Sequence, residues 1–368
     1  MTELRDRVWQ ALSEVQDPEL RRPLTELGMV SEIDIDDAGC VHVEVLLTIV
    51  GCPAASRIEA DVRAALDRTC GDTEYTLRIG VMTPQQRKDL TTKLRGKRDT
   101  HPFGPDSLTR IIAVTSGKGG VGKSTVTVNL AASLAASGLR VGVVDADVYG
   151  FSVPGLLGLP PEAQPTQVGE LMLPPIAHDV KAVSIGMFLR NPGEVVAWRG
   201  PMLHRTLEQF LRDVFFGDLD VLLIDLPPGT GDIAISLAQL LPRSEVLVVT
   251  TPQPAAAEVA WRSGALAEKT GQRVIGVIET LSPTVLADGS EFALFGSGGG
   301  EQVANKLGVP LIANVPVSEP LRAAGDSGEP IVLSHPDDPA ARALQQAADA
   351  IRVRPQGLAG RRLPLHFD

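Results

Sequence analysis

Ser116-Gly117-Lys118-Gly119-Gly120-Val121-Gly122-Lys123-Ser124-Thr125 fits the pattern G-x-x-x-x-G-K-[ST], with an extra lysine, Lys118, directly after the first glycine. A loop that cradles a polyphosphate must bring several backbone N–H groups onto one anion, and glycines permit that approach because no Cβ stands in the way. In such a loop Gly117, Lys118, Gly119, Gly120, Val121, Gly122, Lys123, Ser124 and Thr125 are the nucleotide-binding set. Lys123 reaches the β/γ-phosphates and the Ser124 hydroxyl ligates Mg2+. The flanks agree. Ile111-Ile112-Ala113-Val114 reads as a buried strand, and residues 125–136 read as a helix closed by Gly138. Strand, glycine loop and helix in that order predict an α/β fold: a P-loop NTPase domain with a parallel sheet, binding a nucleoside triphosphate.

Downstream, apolar runs and helical segments alternate, as in a parallel sheet covered on both faces. The strands are predicted at 111–114, 140–144, 221–224, 246–249, 274–278 and 311–315. Open α/β sheets bind ligands beyond the C-terminal ends of their strands, and two carboxylate clusters fall there. Asp145-Ala146-Asp147 follows one strand; Asp225 follows Leu222-Leu223-Ile224. An apolar strand ending in Asp is the Walker-B pattern, in which the carboxylate holds magnesium, so Asp225 joins Ser124 as a predicted Mg2+ residue. The loop Pro227-Pro228-Gly229-Thr230-Gly231 is suited to sense a γ-phosphate through its backbone N–H groups. Asp232 after it reads equally as a helix N-cap.

The preceding part reads as a separate small α/β domain, residues 1–82. Leu4, Val8, Leu12 and Val15 lie at helical spacing; a strand follows at 41–50, a helix at 56–66 and a strand at 75–79. Residues 83–107 form a basic linker with a possible short helix at its start. The ATPase domain is expected at 108–352 and a flexible tail at 353–368. Net charge is -11 over 368 residues, which argues against nucleic acid as a partner. No leader pattern and no apolar run of spanning length occurs, so a cytoplasmic protein without a membrane partner is expected.

Cys40, Cys52 and Cys70 lack C-x-x-C spacing, which fits neither a disulfide framework nor a zinc site within one chain. The six histidines are scattered, and none is assigned to metal. Cys52, in Gly51-Cys52-Pro53 between a strand and a helix, has either a thiolate stabilised by the helix N-terminus or the role of a small buried hydrophobe.

Five segments occur in order: 117–125, Asp145-Ala146-Asp147-Val148-Tyr149-Gly150, Trp198-Arg199-Gly200-Pro201-Met202, 225–232, and Phe295-Gly296-Ser297-Gly298-Gly299-Gly300. In them the chain resembles the Mrp/ApbC family of deviant-Walker ATPases. Asp17-Pro18-Glu19 and Thr48-Ile49-Val50-Gly51-Cys52-Pro53 resemble the small domain of iron–sulfur assembly factors. The resemblance implies an ATPase that binds an iron–sulfur cluster and passes it to apoproteins, working as a homodimer with ATP and Mg2+. It also implies catalytic roles: Lys118 reaches the partner's phosphates, Lys123 the chain's own, and Asp147 orients the attacking water.

Family members carry Cys-x-x-Cys shortly before the Phe-Gly-Ser-Gly-Gly-Gly segment. Here residues 279–291 contain no cysteine, and Glu279-Thr280-Leu281-Ser282 stands where Glu-Asn-Met-Ser is usual. Any cluster must then use thiols of the first domain, with Cys52 as candidate ligand. Two rival readings follow. One is an adaptor whose client binding is gated by nucleotide and which carries no cluster. The other is a partition or placement switch, against which stand the acidic balance and a tail without a basic amphipathic helix.

Overall fold

The computed structural model describes residues 2–49, 52, 54–95, 102–104, 107–188, 200–286 and 288–353. It divides into two compact units. The first comprises Met1–Asp99 with Pro165–Pro174 and Asp213–Gly217. Its helix Thr2–Glu14 buries Val8 and Leu12, and its helix Ala55–Cys70 buries Ile58, Val62 and Leu66. Both contribute to one core with a three-stranded sheet.

Val41–Leu47 is the central strand of that sheet, antiparallel to Val30–Ile35 and parallel to Tyr75–Val81. Val30–Ile35 is not predicted from the sequence. Its pairing shifts register between Val30 and Glu32, and this irregularity breaks the two-residue alternation by which a half-buried strand is read. The strand expected at 41–50 stops at Leu47. Residues 84–95 form a helix, Pro84–Arg95, which buries Leu90 and Leu94 in the same core. Beside it Thr91 Oγ1 reaches the Val168 carbonyl at 3.2 Å, on the short antiparallel pair Thr166–Val168 and Leu171–Leu173.

The second unit, Thr100–Gln164, Pro175–Arg212 and Asp218–Asp368, is built on a sheet of eight described strands. Their spatial order is Leu311–Pro316, Arg273–Ser282, Glu245–Thr250, Arg110–Ser116, Val221–Asp225, Val141–Asp145, Val180–Ser184 and Ile176–Ala177. All neighbours are parallel except the last pair. The six strands read as apolar runs are all present and extend past the predicted ends, because the terminal polar residues Ser116, Asp145, Asp225 and Thr250 still carry ladder hydrogen bonds. The helix Lys123–Ala136 lies in the core, where Val126, Leu130, Ala131 and Leu134 are all but inaccessible. Alanine on this helix lets it sit close to the sheet, which fixes the loop at its N-terminus.

Two predicted features, Trp198-Arg199 and the tail 354–368, lie outside the described residues. Among the described residues, no helix is long and apolar enough to cross a membrane.

Candidate nucleotide site and the thiols of the first unit

The strand Arg110–Ser116 runs between Val221–Asp225 and Glu245–Thr250, so the loop after Ser116 leaves the sheet at its centre. A Cβ at Gly117 would stand 2.3 Å from the backbone of Val259 and Ala260, so only glycine fits there. Gly120 and Gly122 both take φ of 75°, the left-handed region that favours glycine. Gly122 is the N-cap of Lys123–Ala136 and supplies no side-chain acceptor. The first N–H groups of that helix therefore point into the loop without a side-chain cap, the usual arrangement for binding an anion.

Asp225 organises the floor of the site. It is wholly buried, and its Oδ2 accepts from Lys123 Nζ at 2.6 Å and Ser124 Oγ at 2.5 Å. Its Oδ1 accepts from Thr127 Oγ1 at 2.7 Å. Thr127 is not predicted from the sequence, although its place four residues after Lys123 puts it on the same helix face. Asp147 lies 3.6 Å from Lys123 Nζ through Oδ2, while its Oδ1 accepts the N–H of Gly150 at 3.0 Å. The structure thus brings Lys123, Ser124, Asp147 and Asp225 together.

Asp145 is the acid whose behaviour the sequence does not disclose. Parallel pairing sets it directly beside Asp225. Burial and the Asp225 charge push its carboxyl up to about 7, against the opposing hydrogen bond from the Asp147 N–H. It also accepts from Val153 N at 3.2 Å and Ser184 Oγ at 3.1 Å. Lys118 is exposed, and its Nζ donates to Gln253 Oε1 at 3.1 Å. Asp232 is no N-cap: Gly231 takes that position, and Asp232 is an exposed first-turn acid of the helix Asp232–Leu240.

The segment after Ile278 has a structural role. Thr280 Oγ1 reaches Val121 O at 2.6 Å and Thr250 O at 3.0 Å, so the side chain standing in place of asparagine holds the phosphate loop against the sheet. Glu279 is buried and accepts the N–H of Gly300 at 2.6 Å, at the start of the helix Gly299–Leu307. Close approach requires Gly299 and Gly300, whose Cβ atoms would stand 2.5 Å from Thr251 O and 2.7 Å from Glu279 Cβ, whereas Gly298 takes φ of 85°, in the left-handed region. The thiol-free loop between them forms a short hairpin, Thr284–Val285 with Glu291–Phe292, that exposes Val285, Leu286, Phe292 and Leu294.

The donor set fits the groups that the phosphate loop implies. Asp225 and Ser124 are hard oxygen donors side by side, as magnesium requires, and the glycine cradle with Lys118 and Lys123 suits a polyphosphate.

In the first unit, Cys52 is buried, and the expectation of a stabilised thiolate is corrected. Burial, together with the charges of Glu19 and Asp17, pushes its thiol up to about 11. The backbone N–H of Ala54, the N-cap of the helix Ala55–Cys70, favours the thiolate, but burial and the acid charges outweigh it. Burial, with the charges of Asp36 and Glu74, also raises the Cys40 thiol.

Residues 107–352 match the family model described as NUBPL iron-transfer P-loop NTPase, and residues 5–75 match that of an iron-sulfur cluster assembly protein. The iron-sulfur cluster carrier protein of Mycobacterium bovis is 54% identical over 96% of this chain and 95% of its own length. Its counterpart in Synechocystis is 40% identical over 94% of this chain and 96% of its own length. Among solved structures, a nucleotide-binding protein of Archaeoglobus fulgidus in complex with ADP is 34% identical, with a TM-score of 0.55 over 63% of this chain and 93% of its own.

Proposed function

This chain belongs to the family of NUBPL-type iron-transfer P-loop NTPases, carrying an iron-sulfur cluster assembly domain before the NTPase, and from that premise we propose that it is a Mg2+-dependent ATPase that binds iron–sulfur clusters and transfers them to apoproteins. The observation that carries the ATPase half is the Lys123–Asp225–Ser124 contact beneath a glycine cradle. Asp225 and Asp147 hold the Lys123 ammonium beneath the loop. Lys123 would pair with the phosphate oxygens, and Asp225 and Ser124 would hold the metal. Magnesium, when bound, neutralises charge on the phosphates.

Asp147 is fixed by its own turn through Oδ1, which leaves Oδ2 turned toward Lys123 and the phosphate loop, where a group that orients water must stand. Lys118 stands exposed and reaches the phosphates of a second copy, so the active form is a homodimer. Catalysis rests on Lys118, Lys123 and Asp147, in the cytoplasm, with apoproteins or other assembly factors as clients.

The cluster is cargo, and the second unit contains no cysteine to hold it. Cys52 supplies one thiolate per chain, so a homodimer offers two, and the other two positions of a cluster held by four thiolates go to thiols from outside. Such a cluster is labile, which suits delivery. The buried, protonated state of Cys52 favours a second reading, a nucleotide-gated adaptor that carries no cluster.

The two readings part in one experiment. Protein reconstituted anaerobically is mixed with an apoprotein that requires a cluster, with and without ATP. The carrier reading expects the recipient's activity to appear faster with ATP and the effect to vanish in Lys118→Ala. Recipient activity that never rises above the free iron and sulfide control contradicts it.

A further inference from the structure

Away from the nucleotide site, the structure gathers metal-binding side chains that the sequence leaves unconnected. Asp36 and Cys40 lie on the turn that joins Val30–Ile35 to Val41–Leu47 and His42 lies at the start of the second strand, and one ligand atom from each lies within 4.8 Å of the others. The turn itself shapes the group. Asp36 Oδ1 accepts the N–H groups of Ala38 and Cys40, both at 2.9 Å, and Gly39 takes φ of 88° to let the chain reverse. That leaves Asp36 Oδ2 facing His42 Nε2 at 3.2 Å.

The imidazole is oriented from behind. His42 Nδ1 lies 2.6 Å from Thr76 Oγ1, and His42 and Thr76 are partners in the parallel pairing with Tyr75–Val81. A ligating histidine typically has its second nitrogen held by an oxygen in this way, which fixes ring orientation and tautomer. His42 Nε2 and Asp36 Oδ2 face each other at hydrogen-bond distance, and a bound ion would take the place of the proton between them, with Nδ1–H then donated to Thr76 Oγ1.

We propose that Asp36, Cys40 and His42 form a mononuclear site for a borderline-soft divalent transition ion of the zinc(II) or ferrous class, with one position open to an exchangeable ligand. A sulfur, an imidazole nitrogen and a carboxylate oxygen match that class and not magnesium or calcium, which take oxygen ligands. Three protein ligands are one short of tetrahedral closure, the number that leaves a coordination position free. The ligands are partly exposed, so ions enter without unfolding the unit. The site stands apart from Cys52 and does not depend on the cluster-carrier reading.

Cobalt(II) is the probe, because thiolate ligation gives an intense charge-transfer band that oxygen ligands do not. Cobalt bound adventitiously at Ser124 and Asp225 therefore stays silent. Full-length, metal-stripped protein is titrated without nucleotide. The band is expected to saturate at about one cobalt per chain, to collapse on adding zinc(II), and to be absent in Cys40→Ser. Cys52→Ser and Cys70→Ser are expected to keep it. Thr76→Val, a near-isosteric change, is expected to weaken cobalt binding by roughly 10- to 100-fold through loss of the orienting oxygen. No band in the parent protein, a band retained in Cys40→Ser, a band lost in Cys52→Ser or Cys70→Ser, or parental affinity in Thr76→Val each overturns the site.

Discussion

Replacing Lys123 with Met tests whether the phosphate site is held together by charge. The ammonium lies 2.6 Å from Asp225 Oδ2 and 3.6 Å from Asp147 Oδ2, and all three side chains are buried. At an effective dielectric of about 20 a unit pair at such separations attracts by several kcal/mol. Methionine keeps the aliphatic stem but leaves Asp225 and Asp147 without a cation, beside Asp145 in the same buried cluster. Breaking a buried pair from one side costs roughly 3–5 kcal/mol, so Lys123→Met is expected to lose that much stability without nucleotide.

Asp225→Asn removes the other side of the pair, and the double variant removes both. Its loss is expected to fall short of the sum of the single losses by about 2 kcal/mol, because neither charge is then stranded. The assay is equilibrium urea unfolding followed by tryptophan fluorescence. A Trp9→Phe background silences the half-exposed tryptophan of the first unit, so the signal reports the second unit alone. A Lys123→Met loss within about 0.5 kcal/mol of zero, or additivity within the same margin, would refute the reasoning.

Asp145 makes stability depend on pH. The unfolded carboxyl sheds its proton near 3.8 and the folded one near 7, so the native state binds more protons in between. Unfolding free energy is therefore expected to fall as pH rises from about 4 to about 7 and to level above that, and Asp145→Asn should flatten the decline; an unchanged slope in that variant assigns the effect elsewhere. Gly299→Ala places a Cβ 2.5 Å from Thr251 O and 2.6 Å from Pro252 O. Backbone cannot yield there as a side chain does, so a loss of roughly 1–3 kcal/mol is expected in thermal unfolding, and parental Tm contradicts the close-approach account of Gly299. Asp225→Asn should raise the Mg2+ concentration needed for nucleotide binding, whereas Asp147→Asn should spare binding and suppress turnover; equal loss of affinity in both removes the division of labour.

The second unit was largely legible because its strands are buried on both faces and read as continuous apolar runs between glycine and proline signals. The phosphate loop was legible for a different reason. The neighbouring backbone at Gly117 and the left-handed conformation at Gly120 and Gly122 leave few residue types able to stand there. What the sequence concealed depends on neighbours distant in the chain. The proton affinity of Asp145 comes from its register opposite Asp225, and Thr280 matters because a parallel strand carries it beneath Val121. Val30–Ile35 escaped through an irregular register, and with it the hairpin that brings Asp36, Cys40 and His42 together. Cys52 misled in the opposite direction: its place before a helix suggested a thiolate, but burial beside Glu19 and Asp17 favours the thiol.

The cluster-carrying claim rests on that one residue, and iron with acid-labile sulfide on the full-length protein tests it most directly. Parent, Cys52→Ser, Cys40→Ser and Cys70→Ser are reconstituted anaerobically in parallel and desalted before analysis. Sulfide is the decisive quantity, because a mononuclear ion bound at Cys40 contributes metal without sulfide. The account predicts iron and sulfide together on the parent, Cys40→Ser and Cys70→Ser proteins, and neither above background on Cys52→Ser. Sulfide on Cys52→Ser equal to that on the parent contradicts it.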